Sequence, residues 1–351
     1  MQRTAAVILM AVILTIPTTS AAANMESIRI SSGIGSLYVV MRHAAATDPR
    51  PQSPVLILHG ATFPSGNAAA WKIDGGSWMD DLAAQGHDVY ALDFLGYGES
   101  DRYPEMDSED PNGPPLGDIA AMVEQVDRAV AAISARHPGK AINLVAHSAG
   151  TLVAARYAEL HPDRVARLVL FGTPAPFVDG HPGKSQNVRY FQMTAANQLD
   201  AFEPRVRESQ RLDSRMFTQW AAAYLATDST SNTRQPAGVR VPAGMLAALA
   251  EITQTGKLPY DPAHIVTPTL VIQGEWDAVT PIAQGLWVFQ HLASPFKRFV
   301  VLSQGGHRLH LEQSRFQLYQ EVRGFLVAED TAGALCVPRC NTATQGFAPK
   351  P

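Results

Sequence analysis

A serine set between a buried strand and a helix constrains this chain more than any other feature. Ala141-Ile142-Asn143-Leu144-Val145 is a short apolar run, the pattern of a strand covered on both faces of a parallel sheet. It leads straight into Ala146-His147-Ser148-Ala149-Gly150, and Ala149–Leu160 reads as a helix. A serine on so tight a strand-to-helix turn projects its hydroxyl above the sheet edge, while small neighbours let the backbone bend. The next backbone N–H, that of Ala149, faces any negative oxygen forming there. The plain alternative is a serine that only caps the helix.

The rest of the chain repeats the strand-then-helix rhythm. Runs at 54–58, 88–92, 165–171, 269–272 and 298–302 read as further strands. Ser27–Ile30 and Leu37–Met41 read as an opening hairpin over Gly33-Ile34-Gly35. Ile119, Met122, Val123, Val126, Val130 and Ile133 recur at helical steps behind Asp118, and Leu311–Leu326 reads as a closing helix that His310 begins. Such alternation predicts an α/β fold whose mostly parallel sheet has helices on both sides and its loops along one edge. Asp101–Gly117 reads as an exposed loop. Residues 174–262 read as an inserted helical lid, with helices at Met216–Ala226 and Val241–Ile252.

A serine hydroxyl needs a base to take its proton and an acid to orient that base. Two later loops supply them. Thr269-Leu270-Val271-Ile272-Gln273-Gly274-Glu275-Trp276-Asp277 ends a strand in a glycine turn, followed by Thr280-Pro281. Val300-Val301-Leu302-Ser303-Gln304-Gly305-Gly306-His307 places a histidine behind two glycines after the last strand. Asp277 is preferred as acid over Glu275, and Asp93 reads as shaping its own turn, with a share as backup acid. In Leu58-His59-Gly60-Ala61-Thr62-Phe63-Pro64, the His-Gly turn brings the Ala61 N–H toward the serine as a second oxyanion donor beside Ala149. His59 reads as a structural ring holding that loop. Phe63, His147 and Trp276 are the candidates for lining the pocket, with Trp71 and Trp78 behind them.

Together these motifs resemble the α/β-hydrolase superfamily, specifically its lidded serine hydrolases of the esterase/lipase or proline-iminopeptidase kind. The resemblance runs from about residue 36 to 327. One departure is Ala146, where the family's nucleophile elbow usually has glycine. The resemblance implies an eight-stranded, mostly parallel sheet with a cap after the sixth strand, and a Ser148–Asp277–His307 triad in that chain order. The serine itself argues against the relatives that use aspartate at this turn.

Composition narrows the setting. Met1-Gln2-Arg3, the apolar run Ala5–Ile16 and the small residues through Ala23 follow the order of a secretory signal peptide. Twelve residues reach only about 18 Å as a helix, short of the roughly 30 Å hydrocarbon layer. The reading is therefore a signal at 1–23, a hydrolase core at 24–173 and 263–327, a cap at 174–262 and a tail at 328–351. The protein is then secreted or periplasmic, with no membrane association after signal removal. Export lets Cys336 and Cys340 pair as a disulfide, and no metal ligation is expected of them. A formal charge of −4 gives no basic surface for nucleic acid.

The reaction read from these residues is cleavage of a small-molecule ester through an acyl-enzyme, with no metal or organic cofactor. An ester comes first because its leaving group departs more easily than an amine. The catalytic rival is an aminopeptidase or amidase, which needs carboxylates to grip a free amine. Asp200, Glu203, Glu208 and Asp213 are its candidates. The rival from another class is a non-catalytic binding protein on the same fold. Oligomeric state stays open.

Overall fold

The computed structural model describes residues 25–45, 52–176, 187–200 and 213–328. The segment read as a signal, the two cysteines, Glu203, Glu208 and all but the first residue of the tail lie outside them. Eight strands form one sheet: β1 (Met25–Ser31), β2 (Ser36–Arg42), β3 (Val55–Leu58), β4 (Val89–Asp93), β5 (Ile142–His147), β6 (Val165–Phe171), β9 (Thr269–Gly274) and β10 (Lys297–Leu302). Their order is β1-β2-β4-β3-β5-β6-β9-β10. The opening hairpin is antiparallel, with Ser31 opposite Ser36, and β2 is antiparallel to β4. Every later pairing is parallel.

The apolar runs became central strands because neither face meets water. On β3 and β5, Leu56, Leu58, Leu144 and Ala146 face one core, which also takes Met122 and Val126 of α2 (Ile119–Arg136) and Leu152 and Ala155 of α3 (Gly150–Leu160). The alternate residues Val55, Ile57 and Val145 face a second core. It is filled by Met79 and Leu82 of α1 (Trp78–Ala83) and by Leu318, Val322 and Phe325 of α8 (Arg315–Leu326). The period-two alternation of side chains along each strand thus feeds two helical layers. Asp118 caps α2 as its position predicts, accepting a hydrogen bond from the Ala121 N–H at 2.8 Å. Among the described residues, no helix is long and apolar enough to cross a membrane.

Three local readings are corrected. The insertion is not wholly helical, because β7 (Tyr190–Thr194) pairs antiparallel with β8 (Gly238–Pro242). The helix expected over Val241–Ile252 therefore starts later, as α6 (Gly244–Thr255). Val239 and Val241 face the core as alternating β-branched residues, and Pro242 cannot donate within a helix interior. Among the described residues, the insertion's other α-helices are α4 (Ala195–Asp200) and α5 (Ser214–Ala226). The closing helix also starts later than expected. His310 sits in a short turn, Leu309–Leu311, because the Glu312 carboxylate folds back to accept the Gly306 N–H. Finally, Asp101–Gly117 is not all exposed: Tyr103 and Met106 are buried under the insertion.

Candidate active site

The turn between β5 and α3 carries the serine. Ser148 has φ +55°, a left-handed backbone that a side-chain-bearing residue adopts only when its surroundings enforce it. Its N–H donates to the Phe171 carbonyl at 2.9 Å, and its own carbonyl accepts the Thr151 N–H and hydroxyl. Gly150 shows why the turn needs small residues: a Cβ there would lie 2.3 Å from the His59 carbonyl oxygen. Ala146, where the family's elbow usually has glycine, is fully buried, with its methyl packed in the core beneath.

Two loops from the same sheet edge complete a chain of hydrogen bonds. His307 Nε2 lies 2.8 Å from Ser148 Oγ, and His307 Nδ1 lies 2.9 Å from Asp277 Oδ2. The Asp277 carboxylate also accepts the Val279 N–H at 2.9 Å, the Thr280 N–H at 2.8 Å and the Thr280 hydroxyl at 2.8 Å. Burial pushes this carboxyl's pKa up. The facing His307 imidazole and the Thr280 donors outweigh it and hold the pKa below the ordinary carboxylate value. The Asp-x-x-Thr spacing seen in the sequence thus has a physical reason: the turn wraps its own donors around the carboxylate. Glu275 is exposed and spends its carboxylate on the Gln304 N–H. Asp93 accepts the N–H groups of Ser65 and Glu99, so it shapes its turn as expected.

The loop after β3 faces the serine from the other side. His59 holds it: Nδ1 donates to the Gly60 carbonyl at 2.7 Å and Nε2 accepts the Phe94 N–H at 3.3 Å. Tyr97 donates to the Ala61 carbonyl at 2.7 Å. From the insertion, the Gln198 amide and the Tyr224 hydroxyl donate to the Thr62 carbonyl. Neither Ala61 nor Ala149 donates its N–H to a backbone carbonyl among the described residues, so both amides remain available to an anion.

A cavity of about 130 Å³ opens over Ser148. Ala61, Phe63, His147 and His307 line it, as do four residues that sequence reasoning missed: Leu246, Leu249, Val279 and Arg308. Arg308 donates to the Gln198 carbonyl and side chain and lies over the Phe63 ring. Trp276 is not among the lining residues. Its N–H donates to the Gly305 carbonyl, tying it to the base's loop, and Val279 takes the expected place. Trp78 stacks on Tyr319 in the core beneath α8. Asp200 and Asp213, the described amine-binding candidates, do not line the cavity, and Asp213 caps α5 instead.

His147 also reaches the base. Its Nε2–H donates to the His307 carbonyl at 2.8 Å, so the residue before the nucleophile grips the backbone of the residue that faces it. Burial and the neighbouring His310 and His307 lower the His147 pKa well below the usual imidazole value, so the ring is neutral. Position in the elbow marked His147, but nothing in the sequence announced Leu246, Leu249 or Arg308. They reach the cavity from α6 and from the turn after His307.

A family model described as serine aminopeptidase, S33, matches residues 49–314, most of the chain. The chain belongs to this family. It is a serine hydrolase with the α/β-hydrolase fold, in agreement with the eight-stranded sheet and its order. It is similar to the pimeloyl-(acyl-carrier protein) methyl ester esterase of Chromobacterium violaceum, 27% identical over 68% of this chain and 81% of that one. It is also similar to the monoacylglycerol lipase of Mycolicibacterium smegmatis, 23% identical over 85% of this chain and 95% of the relative. Among solved structures, a serine hydrolase involved in carbazole degradation superposes with a TM-score of 0.59 at 16% identity. That match covers 86% of this chain and 99% of the other and speaks to the fold alone.

Proposed function

We propose that this family member hydrolyses carboxylic esters through an acyl-enzyme on Ser148. The observation that carries the reading is the hydrogen-bond chain from Asp277 through His307 to Ser148, at 2.9 and 2.8 Å. His307 Nε2 takes the hydroxyl proton as Oγ attacks the ester carbonyl, and the new oxyanion is received by the N–H groups of Ala61 and Ala149. Asp277 keeps Nδ1 protonated and stabilises the imidazolium. The imidazolium gives its proton to the departing alcohol. Water, activated by the same nitrogen, then releases the acid. Every proton in this cycle moves through groups of the chain itself.

Two observations favour an ester over an aminoacyl amide. Besides Ser148, His307 and His147, the cavity is lined by Thr62, apolar groups and Arg308, with no carboxylate among the described lining residues to hold an ammonium group. Two of the relatives this chain resembles are named for an ester and a glyceride. The aminopeptidase reading rests on the family description. Hydrolysis of an aminoacyl-naphthylamide against a p-nitrophenyl acyl ester separates them, and the ester is the expected substrate. Ser148→Ala abolishes ester turnover and fluorophosphonate labelling with an unchanged circular dichroism spectrum. Full activity in that variant would refute the mechanism.

The same reading takes residues 1–23 as an export signal, 174–262 as a lid over the site and Cys336–Cys340 as a disulfide in the tail. Mass spectrometry of protein exported from the producing cell, before and after reduction, tests the first and last of these. A mature N-terminus near residue 24 and a two-dalton gain on reduction are expected.

A further inference from the structure

α6 is a wall with a cavity on each side. Leu246 and Leu249, three residues apart and hence on one face of the helix, project into the cavity over Ser148. Gly244, Ala247, Ala248, Glu251 and Ile252 line an outer groove of about 600 Å³ on the helix's other side. The larger space is thus separated from the serine by a whole helix, and the space beside the serine is only about 130 Å³.

The position of this wall is fixed. The Gly244 N–H donates to the Leu116 carbonyl at 2.8 Å, and a Cβ on Gly244 would lie 1.9 Å from the Gly117 carbonyl oxygen. The first turn of α6 therefore sits directly on the core loop, and Leu246 is two residues along from that anchor. Phe63, also lining the cavity, is held by Trp220 at 5.5 Å between ring centres and by the Arg308 guanidinium at 5.0 Å. Pockets for small molecules commonly enclose about 300–1,000 Å³, so a space of about 130 Å³ suits a short acyl group and not a long chain.

We propose that Leu246 and Leu249 set the length of the acyl group this site accepts, restricting it to esters of short acids. The proposal rests on the ester-hydrolase reading and names its substrate class. Each leucine-to-alanine change removes three carbons from the wall and lengthens the space by a similar amount.

The test is a series of p-nitrophenyl esters from acetate to decanoate, which keeps the leaving group constant. Wild-type kcat/KM is highest between acetate and butyrate and at least tenfold lower for octanoate. Leu246→Ala and Leu249→Ala each move the optimum outward by two or more carbons. Leu249→Phe moves it the other way, lowering butyrate relative to acetate about tenfold. Glu251→Ala, on the exposed outer side of the same helix, leaves the optimum in place. Fluorophosphonate labelling of each variant reports that Ser148 remains reactive. Equal wild-type rates on butyrate and octanoate, an optimum unmoved in both alanine variants, or a matching shift in Glu251→Ala would overturn the proposal. No turnover of any ester by the labelled wild-type protein would instead refute the ester reading.

Discussion

His310 makes the fold sensitive to acid, by an amount that can be worked out. Its ring is almost fully buried, packed 4.6 Å from His147, 5.9 Å from Phe171 and 6.1 Å from Phe63 between ring centres. Neither ring nitrogen has a hydrogen-bond partner among the described residues. Burial first, then the charges of Arg308 and His307, lower its pKa from 6.5 to about 3. A base whose folded pKa is depressed stays neutral in the fold while the unfolded chain takes up a proton. Stability is therefore full above pH 6.5 and is lost as the pH falls toward 3. At pH 5 the unfolded ring is almost wholly charged and the folded ring is not. One pKa unit corresponds to 1.36 kcal/mol, so about 2 kcal/mol of stability disappears between pH 8 and pH 5. His310→Phe keeps an aromatic body in the nest and removes the titration. Urea unfolding followed by tryptophan fluorescence at the two pH values should show the variant losing about 2 kcal/mol less than wild type. The comparison is between slopes, so any constant packing cost of phenylalanine cancels. Parallel losses in the two proteins, within about 0.5 kcal/mol, would show that the ring is protonated inside the fold and that the burial argument is wrong.

Further outcomes follow from the site. His147→Phe removes the hydrogen bond to the His307 carbonyl and should lower kcat about tenfold with KM little changed, since a lost buried partner costs about 1–3 kcal/mol. His147→Gln, which can present a donor at nearly the same place, should recover much of that loss in steady-state kinetics. Gly150→Ala drives a Cβ to 2.3 Å from the His59 carbonyl oxygen, so the Ser148 turn and the Ala61 loop must separate. Fluorophosphonate labelling should slow at least a hundredfold, and a rate near wild type would contradict the geometry.

Much of the site could be read along the chain because its parts are local. The small residues around Ser148, the Asp277-x-x-Thr280 turn and the glycines before His307 each serve a backbone requirement met within a few residues. A buried strand likewise announces itself through its own apolar run. The parts that were misjudged depend on distant partners. His310 was read as opening a helix, yet the carboxylate of Glu312 reaches back to Gly306 and holds a separate turn there. Val241 and Pro242 were read as helical, yet they pair with Phe191 and Tyr190, about fifty residues away. Trp276 looked like a pocket residue by its place beside Asp277, but a loop tip gives its backbone address and not the direction of its side chain.

Amino-acid order alone determined the layered α/β architecture and the three groups that meet above the sheet edge, because strand period, helix period and turn chemistry are short-range properties of a polypeptide. Only tertiary structure decided how much room those groups have. The cavity's walls come from Leu246 and Leu249 on one helix, Phe63 on an early loop and Arg308 bound to Gln198, and their meeting depends on packing between segments more than a hundred residues apart. Shape of that kind is a property of the assembled core, where each side chain's position is fixed by neighbours that its own sequence surroundings do not contain.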